Sequence, residues 1–312
     1  GLVNAVCRKF VKKSLELDSL GDPLLCNLFI KGLKEIYDSD IIRKLSLSQQ
    51  CKPPLDLTIK DPNRQVYYTE LLQGNLLPSG TIRLKNQNQV SKMPGYEEGD
   101  WWVQDFSASI PVKLLGSIGG LSALDVCAAP GGKTLQLASG GANVTSIEIS
   151  RQRADKLIEN LNRTKLSANI VIEDIHNFEC KTLFDIVLID APCSATGTIR
   201  RNCDLQYLDP FRRISILAKE QTIIVERAMR FLKLGGRLVY CTCSMMPSEG
   251  EQIIKKILHH HRNWSQFPIS GKSLGIKPTW VDRAGGLRLR PDFWDTIGGM
   301  DGFYIAILTR DS

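Results

Sequence analysis

Apolar residues open the chain at helical spacing. Leu2, Val3, Val6, Phe10 and Val11 share one face, with Arg8, Lys9, Lys12 and Lys13 largely on the other, and the pattern predicts a helical segment over residues 1–45. From Pro53 to about Val103 the period shortens. Leu55, Leu57 and Ile59 alternate as in a half-buried strand. Asp61 followed by Pro62 is a helix start, and the helix runs through NRQVYYTELLQ to a stop at Gly74. GTIRLK reads as another strand, so residues 46–103 form a small α/β module. Beyond Gln104 strands and helices alternate regularly, the pattern of a mostly parallel sheet with crossover helices.

Within residues 104–312, FSASIPVKLL leads into a first strand ending in LDV, and NVTSIEI, NIVIED, FDIVLID and GRLVYCTCS are the strands that follow. Ala154, Leu157, Ile158 and Leu161 form the buried stripe of the helix after the second strand. A long helix is predicted from about Ser215 to Leu232, ended by Gly235 and Gly236, and another opens at Pro247 and Glu249. LRLRP and GFYIAILTR read as antiparallel strands that finish the sheet. The fold class is therefore α/β, Rossmann-like, mostly parallel with an antiparallel end.

Composition narrows the setting. A length of 312 residues exceeds what one small core usually holds. No apolar run reaches a bilayer span and no signal-peptide hydrophobic region is present, so no membrane partner is expected. Nine scattered cysteines fit a reducing cytoplasm, and a net charge of +7 suits a polyanionic partner without identifying one. The start in an amphipathic helix, without methionine, leads to the expectation of a truncated or processed piece of a longer chain. No metal is expected: His259, His260 and His261 point around a helix, and Cys193, Cys241 and Cys243 lack the spacing of a zinc site.

The candidate chemistry starts at LDVCAAPGGKT. A phosphate-cradling P-loop would need glycine where Cys127 stands, and no G-x-G-x-x-G occurs. What remains is a strand, a turn of small residues with uncovered amides, and a helix N-terminus suited to a nucleotide-like ligand. Glu148, Asp174 and Asp190 all fall at carboxyl ends of strands, the edge where open α/β sheets bind ligands, and a carboxylate at Glu148 suits ribose hydroxyls. The bland alternative is a glycine turn with a solvated glutamate. Asp190-Ala-Pro-Cys193 and Thr242-Cys243-Ser244 end neighbouring strands on that edge. Either thiol is a candidate nucleophile, with Lys133 as a nearby positive charge, and sequence does not choose between them. Cys127 and Cys241 read as core, and a redox disulfide between Cys193 and Cys243 is a minor alternative. Tyr67, Tyr68, Trp101 and Trp102 are base-stacking surfaces or core. Arg200, Arg201, Arg212 and Arg213 are phosphate contacts or a solvated basic loop.

LDVCAAPGGKT, the acids Glu148 and Asp174, LIDAPCSATGTIRR and VYCTCS stand in the order and spacing of the Fmu/Sun family of S-adenosylmethionine-dependent RNA cytosine-C5 methyltransferases, which the chain resembles most strongly from Gln104 to Ser244. The resemblance implies a class I methyltransferase domain and a small-subunit ribosomal RNA substrate. It also implies a helical, NusB-like RNA-binding domain at the amino terminus, here mostly missing. Residues Cys127, Ala128, Ala129, Pro130, Gly131, Gly132 and Lys133 would wrap the methionine and ribose of S-adenosylmethionine. Glu148, where the family often has aspartate, would hold the ribose hydroxyls; Asp174 would lie by the adenine, and Asp190 between cofactor and base. By the same resemblance Cys243 adds to carbon 6 of cytosine, Asp190 hydrogen-bonds N3, and Cys193 serves release. The expectation is a monomeric cytoplasmic rRNA-processing enzyme; the competing readings are a nucleotide-dependent oxidoreductase and a non-catalytic RNA-binding or ribosome-assembly factor.

Overall fold

The computed structural model describes residues 1–12, 25–49, 52–84, 89–208 and 210–311. Lys13 lies outside them. The predicted helicity at the amino terminus appears as α1 (Leu2–Lys12), α2 (Asn27–Lys34) and α3 (Ser39–Leu47). Leu2, Val3, Val6, Phe10 and Val11 of α1 are all exposed. Asp38 caps α3 by accepting a hydrogen bond from Ile41 N at 2.8 Å. Phe29, Leu33, Ile42 and Leu45 from α2 and α3 share a core with Ile199, Ile214, Met245 and Met246, so these helices brace the segments that follow both cysteine motifs.

A small antiparallel sheet comes next, in the order β2–β3–β1–β4, from β1 (Leu55–Ile59), β2 (Asn75–Leu76), β3 (Ile82–Leu84) and β4 (Trp101–Val103). Asp61 caps the turn at Pro62 by accepting from Asn63 N, and α4 (Gln65–Leu71) follows. Leu57, Ile59, Tyr68, Ile82 and Trp101 make its core. The sheet is fastened to the rest of the molecule through a buried ion pair of its own strands β1 and β3. Arg83 Nη2 lies 2.7 Å from Asp56 Oδ2, Arg83 Nη1 donates to Gly299 O at 2.8 Å, and Asp56 accepts from Phe106 N at 3.0 Å.

The large sheet runs β10–β12–β9–β8–β5–β6–β7, with β11 beside β12. Its parallel part is β5 (Ser122–Val126), β6 (Asn143–Ile147), β7 (Asn169–Val171), β8 (Phe184–Asp190) and β9 (Leu232–Thr242). The antiparallel end is β10 (Trp264–Phe267), β11 (Leu287–Leu289) and β12 (Phe303–Arg310). Helices α5 (Phe106–Lys113), α6 (Gly132–Ser139), α7 (Arg151–Thr164), α8 (Ile214–Met229) and α9 (Glu251–His260) connect and cover the strands. In β8, Val187 and Ile189 enter one core while Ile186 and Leu188 enter the other. Burial on both faces is why its sequence is a continuous apolar run.

FSASIPVKLL, the segment that leads into the first strand, folds largely as α5, started by Asp105 accepting from Ser107 N at 2.9 Å. Two local expectations change. Gly235 and Gly236 do not end α8, which stops at Met229; both lie inside β9. A Cβ on Gly236 would sit 2.9 Å from Asp185 O, so that glycine serves close strand pairing at a register irregularity instead. NIVIED yields a strand only to Val171, which leaves Asp174 in the turn beyond it.

Candidate active site

After Val126 the chain leaves β5 through Cys127 (φ 61°) and reaches Gly131 (φ 110°), the residue that opens α6. Gly131 needs glycine twice: its φ is left-handed, and a Cβ there would meet Leu157 Cδ1 at 2.5 Å. The loop is tied down from α7 and β6. Ala128 N donates to Ile147 O at 3.0 Å, and Asn160 Nδ2 donates to Pro130 O at 2.9 Å. Glu148, only 1% exposed, accepts from Ala129 N at 3.2 Å and Ser150 N at 3.0 Å, with Arg153 3.5 Å away. Its carboxylate is thus turned onto the loop's own amides.

Ala128, Pro130, Gly132, Lys133 and Asp190 line a cleft of about 450 Å³ together with Trp102, Gln104, Arg163, Cys243 and Phe303. Cys127, Ala129 and Gly131 shape the loop but are not on that wall, nor is Asp174, which accepts from His176 N at 3.0 Å. Lys133 Nζ lies 2.7 Å from Asp190 Oδ2 and 5.3 Å from the centre of the Phe303 ring. Burial works against the Lys133 charge, but Asp190 outweighs it and holds the ammonium above its ordinary pKa.

Strands β8 and β9 run parallel with Asp190 opposite Cys241, so the loops that follow them leave the same edge. They bring Cys193 Sγ to 3.4 Å from Cys243 Sγ. Cys243 borders the cleft and Cys193 does not. The hydrogen bond to Cys243, reinforced by burial, lifts the Cys193 thiol well above the usual cysteine range, so Cys193 keeps its proton. Burial also pushes Cys127 up to about 12 and raises Cys241. The backbone closes the arrangement: Gly197 N donates to Cys243 O at 2.9 Å, and Gly302 N donates to Gly197 O at 2.7 Å.

Arg200 is corrected as a phosphate contact. It is 4% exposed, and its guanidinium is used by Asp105 Oδ2 at 2.5 Å, Asp301 Oδ1 at 3.3 Å and Gly298 O at 2.8 Å. A charge paired inside the fold has nothing left for RNA. Arg201 pairs with Asp301 too but borders the cleft with its side chain 44% exposed. Arg212 and Arg213 are exposed in the turn before α8. Of the aromatic candidates Tyr67 is exposed, whereas Tyr68, Trp101 and Trp102 are buried. His259 and His260 are exposed at the end of α9, and among the described residues no group of three or more His, Cys, Asp or Glu could hold a metal ion.

Gln104, Asp301 and Phe303 are cleft residues that the sequence reading missed. Gln104 accepts from Thr58 Oγ1 at 2.8 Å and Trp102 Nε1 at 3.0 Å and donates to Gln136 Oε1 at 2.7 Å. Thr58 and Gln136 come from distant segments, so no local pattern marks it. Asp301 and Phe303 had one available signal, an acid and an aromatic flanking glycine at the start of an apolar strand.

Residues 115–309 match the family described as 16S rRNA methyltransferase RsmB/F. The chain is 36% identical over 279 residues to ribosomal RNA small subunit methyltransferase B of Yersinia pestis bv. Antiqua (strain Angola), covering 84% of this chain and 65% of that protein. The same figures hold for the protein of that name from Yersinia pseudotuberculosis serotype O:3 (strain YPIII). The chain therefore spans about 65% of the length of these curated relatives. Among solved structures, a methyltransferase homolog protein from Pyrococcus horikoshii superposes with a TM-score of 0.70 at 23% identity, covering 91% of this chain and 99% of that one. NSun6 from Pyrococcus horikoshii with SFG gives a TM-score of 0.62 at 23% identity, covering 72% and 57%. These likenesses identify the larger sheet and its helices as a Rossmann-like class I methyltransferase fold, and with the match over residues 115–309 they show that the chain belongs to the RsmB/F family of 16S rRNA methyltransferases.

Proposed function

We propose that this chain methylates carbon 5 of a cytosine in small-subunit ribosomal RNA through a transient cysteine adduct at carbon 6. The observation that carries the reading is the meeting of two thiols at 3.4 Å, one of them on the wall of a cleft that also holds the Lys133–Asp190 pair. The cleft suits S-adenosylmethionine: its floor is the small-residue loop before the N-terminus of α6, where a Cβ on Gly132 would press within 3.3 Å of Gln104 Nε2. Ala128, Pro130, Gly132, Lys133 and Asp190 would hold it. When bound, it supplies the electrophilic methyl group that carbon 5 takes.

Carbon 5 of cytosine is a weak nucleophile until a group adds at carbon 6. Cys243, as thiolate, forms that S–C6 bond, and the ring electrons move toward carbon 5 and N3. Asp190 hydrogen-bonds N3 with a proton passed from the Lys133 ammonium, which offsets the charge developing there, and the proton returns to the pair once carbon 5 has taken the methyl group. After methylation carbon 5 loses its proton to solvent, the S–C6 bond breaks, and Cys243 leaves as thiolate. The protonated Cys193 stands beside the departing sulfur to hydrogen-bond it. An oxidoreductase has no use for this pair.

The target base must be turned out of its stack to reach the strand edge, which suits exposed loops of RNA. Arg201, Arg212 and Arg213 are the phosphate contacts in this reading, residues 1–45 and 46–103 flank the RNA, and residues 104–312 carry the chemistry. No helix among the described residues is long and apolar enough to cross a membrane. The place of work in this reading is the cytoplasm, where the rRNA substrate is.

Incubation with methyl-labelled S-adenosylmethionine and unmodified small-subunit rRNA, followed by digestion, is expected to put label in 5-methylcytidine. Cys243→Ala should abolish transfer, and Cys193→Ala should accumulate a covalent protein–RNA adduct. An adduct in the first variant but not the second reverses the roles of the thiols. Label in any other nucleoside removes the cytosine-C5 reading.

A further inference from the structure

Glu249 closes the short turn Pro247–Glu249 that precedes α9 and is 0% exposed. One carboxylate oxygen accepts from Ser194 N at 2.9 Å and Gln221 Nε2 at 3.1 Å, the other from Ser194 Oγ at 2.5 Å and Ser244 Oγ at 2.6 Å. Ser194 directly follows Cys193, and Ser244 directly follows Cys243. Gln221 also donates to Pro192 O at 2.7 Å, on the other side of Cys193. The donors to this carboxylate are neutral, and it forms no ion pair among the described residues. Burying an acid in this way is costly, and the hydrogen bonds that offset the cost come from Ser194 and Ser244, which follow the two thiols, and from Gln221 of α8, which also holds Pro192.

We propose that Glu249 is a positioning residue for methyl transfer, a buried clamp that holds the Cys193 and Cys243 loops in one register so that the thiols meet beside the base. The inference rests on the reading of function above. The geometry explains why one carboxylate, and no apolar side chain, stands there: only two oxygens with several lone pairs can take an amide and two hydroxyls from separate loops at once. Its charge also acts, after the Cys243 hydrogen bond and burial, to keep Cys193 protonated.

The test compares wild type with Glu249→Gln, with Ser194→Ala/Ser244→Ala, and with the triple variant. The glutamine keeps the shape but turns one acceptor into a donor. Diamide-driven coupling of Cys193 to Cys243, mapped by mass spectrometry on protein free of cofactor and RNA, reports whether the thiols are held in contact. Coupling is expected to slow about tenfold in Glu249→Gln and in the serine pair, with no further loss in the triple variant, because all three act through one network. In methyl transfer kcat should fall roughly 10- to 100-fold while KM for RNA stays within about twofold, since positioning and not binding is lost. Wild-type coupling and kcat in Glu249→Gln, or losses that simply add in the triple variant, would overturn the proposal. If Glu249→Gln does not fold, the serine pair decides by the same two readouts. If wild type itself transfers no methyl group, the reading of function fails, while the coupling rates still judge the clamp.

Discussion

Asp125 shows how much a single residue can carry unseen. Its carboxyl is 0% exposed, Oδ2 accepts from Thr134 Oγ1 at 2.6 Å, and Oδ1 has no hydrogen-bond partner among the described residues. Burial first, with repulsion from Asp190, lifts its pKa to about 7 from an ordinary 3.8. An acid whose folded pKa is raised stabilises the fold fully below its unfolded pKa, and that contribution is lost as pH rises through the folded value. Stability should therefore decline between about pH 4 and pH 7, by up to about 1.4 kcal/mol per pH unit from this group. Asp301, lifted to about 6 chiefly by burial, adds a decline of the same sign at the lower end. Asp125→Asn should flatten the slope most clearly near neutrality. Denaturant melts across this range check it; an unchanged slope in the variant would remove Asp125 as the source. At this scale the thiols and the Lys133 loop were legible because their chemistry demands residue types. Arg200 was misread because an arginine looks the same in sequence whether it faces phosphate or a buried aspartate.

Elements were legible where burial was one-sided or complete. The apolar run FDIVLID reflects a strand buried on both faces; LDLTI was legible as a strand by its alternation but not as a half-buried one, because Asp56 and Thr58 on its polar face are buried too, held by Arg83 and Gln104. Gly235 and Gly236 were not, because a glycine pair marks a helix end and a tight strand approach equally well. The same holds at Gly197, where a Cβ would sit 2.1 Å from Gly302 O and 2.8 Å from Cys243 O. Both obstacles are backbone, so Gly197→Ala must push apart the segments that carry Cys193, Cys243 and Phe303. It is expected to cost at least about 2 kcal/mol in chemical denaturation and to reduce methyl transfer out of proportion to RNA binding. Stability within about 0.5 kcal/mol of wild type would show that the segments have slack there.

Across the whole molecule, the small sheet meets the large-sheet domain through a charge pair of its own that almost no solvent reaches, Arg83 2% and Asp56 1% exposed at their side chains, whose further hydrogen bonds reach Gly299 O and Phe106 N. Arg83→Ala leaves Asp56 buried with its main partner gone, and a loss of about 3–5 kcal/mol is expected. Hydrogen exchange should speed first in β1 and β3; a loss under about 1 kcal/mol would mean that water or another donor replaces the guanidinium. This junction also explains the limits of reading the chain alone. The sequence by itself determined the α/β alternation, the small-residue loop after the first parallel strand and the two cysteine motifs, because periodicity follows from which faces are buried and loop geometry follows from residue type. Only the tertiary structure decided that Cys193 and Cys243 stand 3.4 Å apart, that Glu148 turns inward, and that Arg200 and Glu249 are internal partners. Those outcomes depend on strand register and on contacts between segments far apart in the chain, and no local pattern of side chains records them.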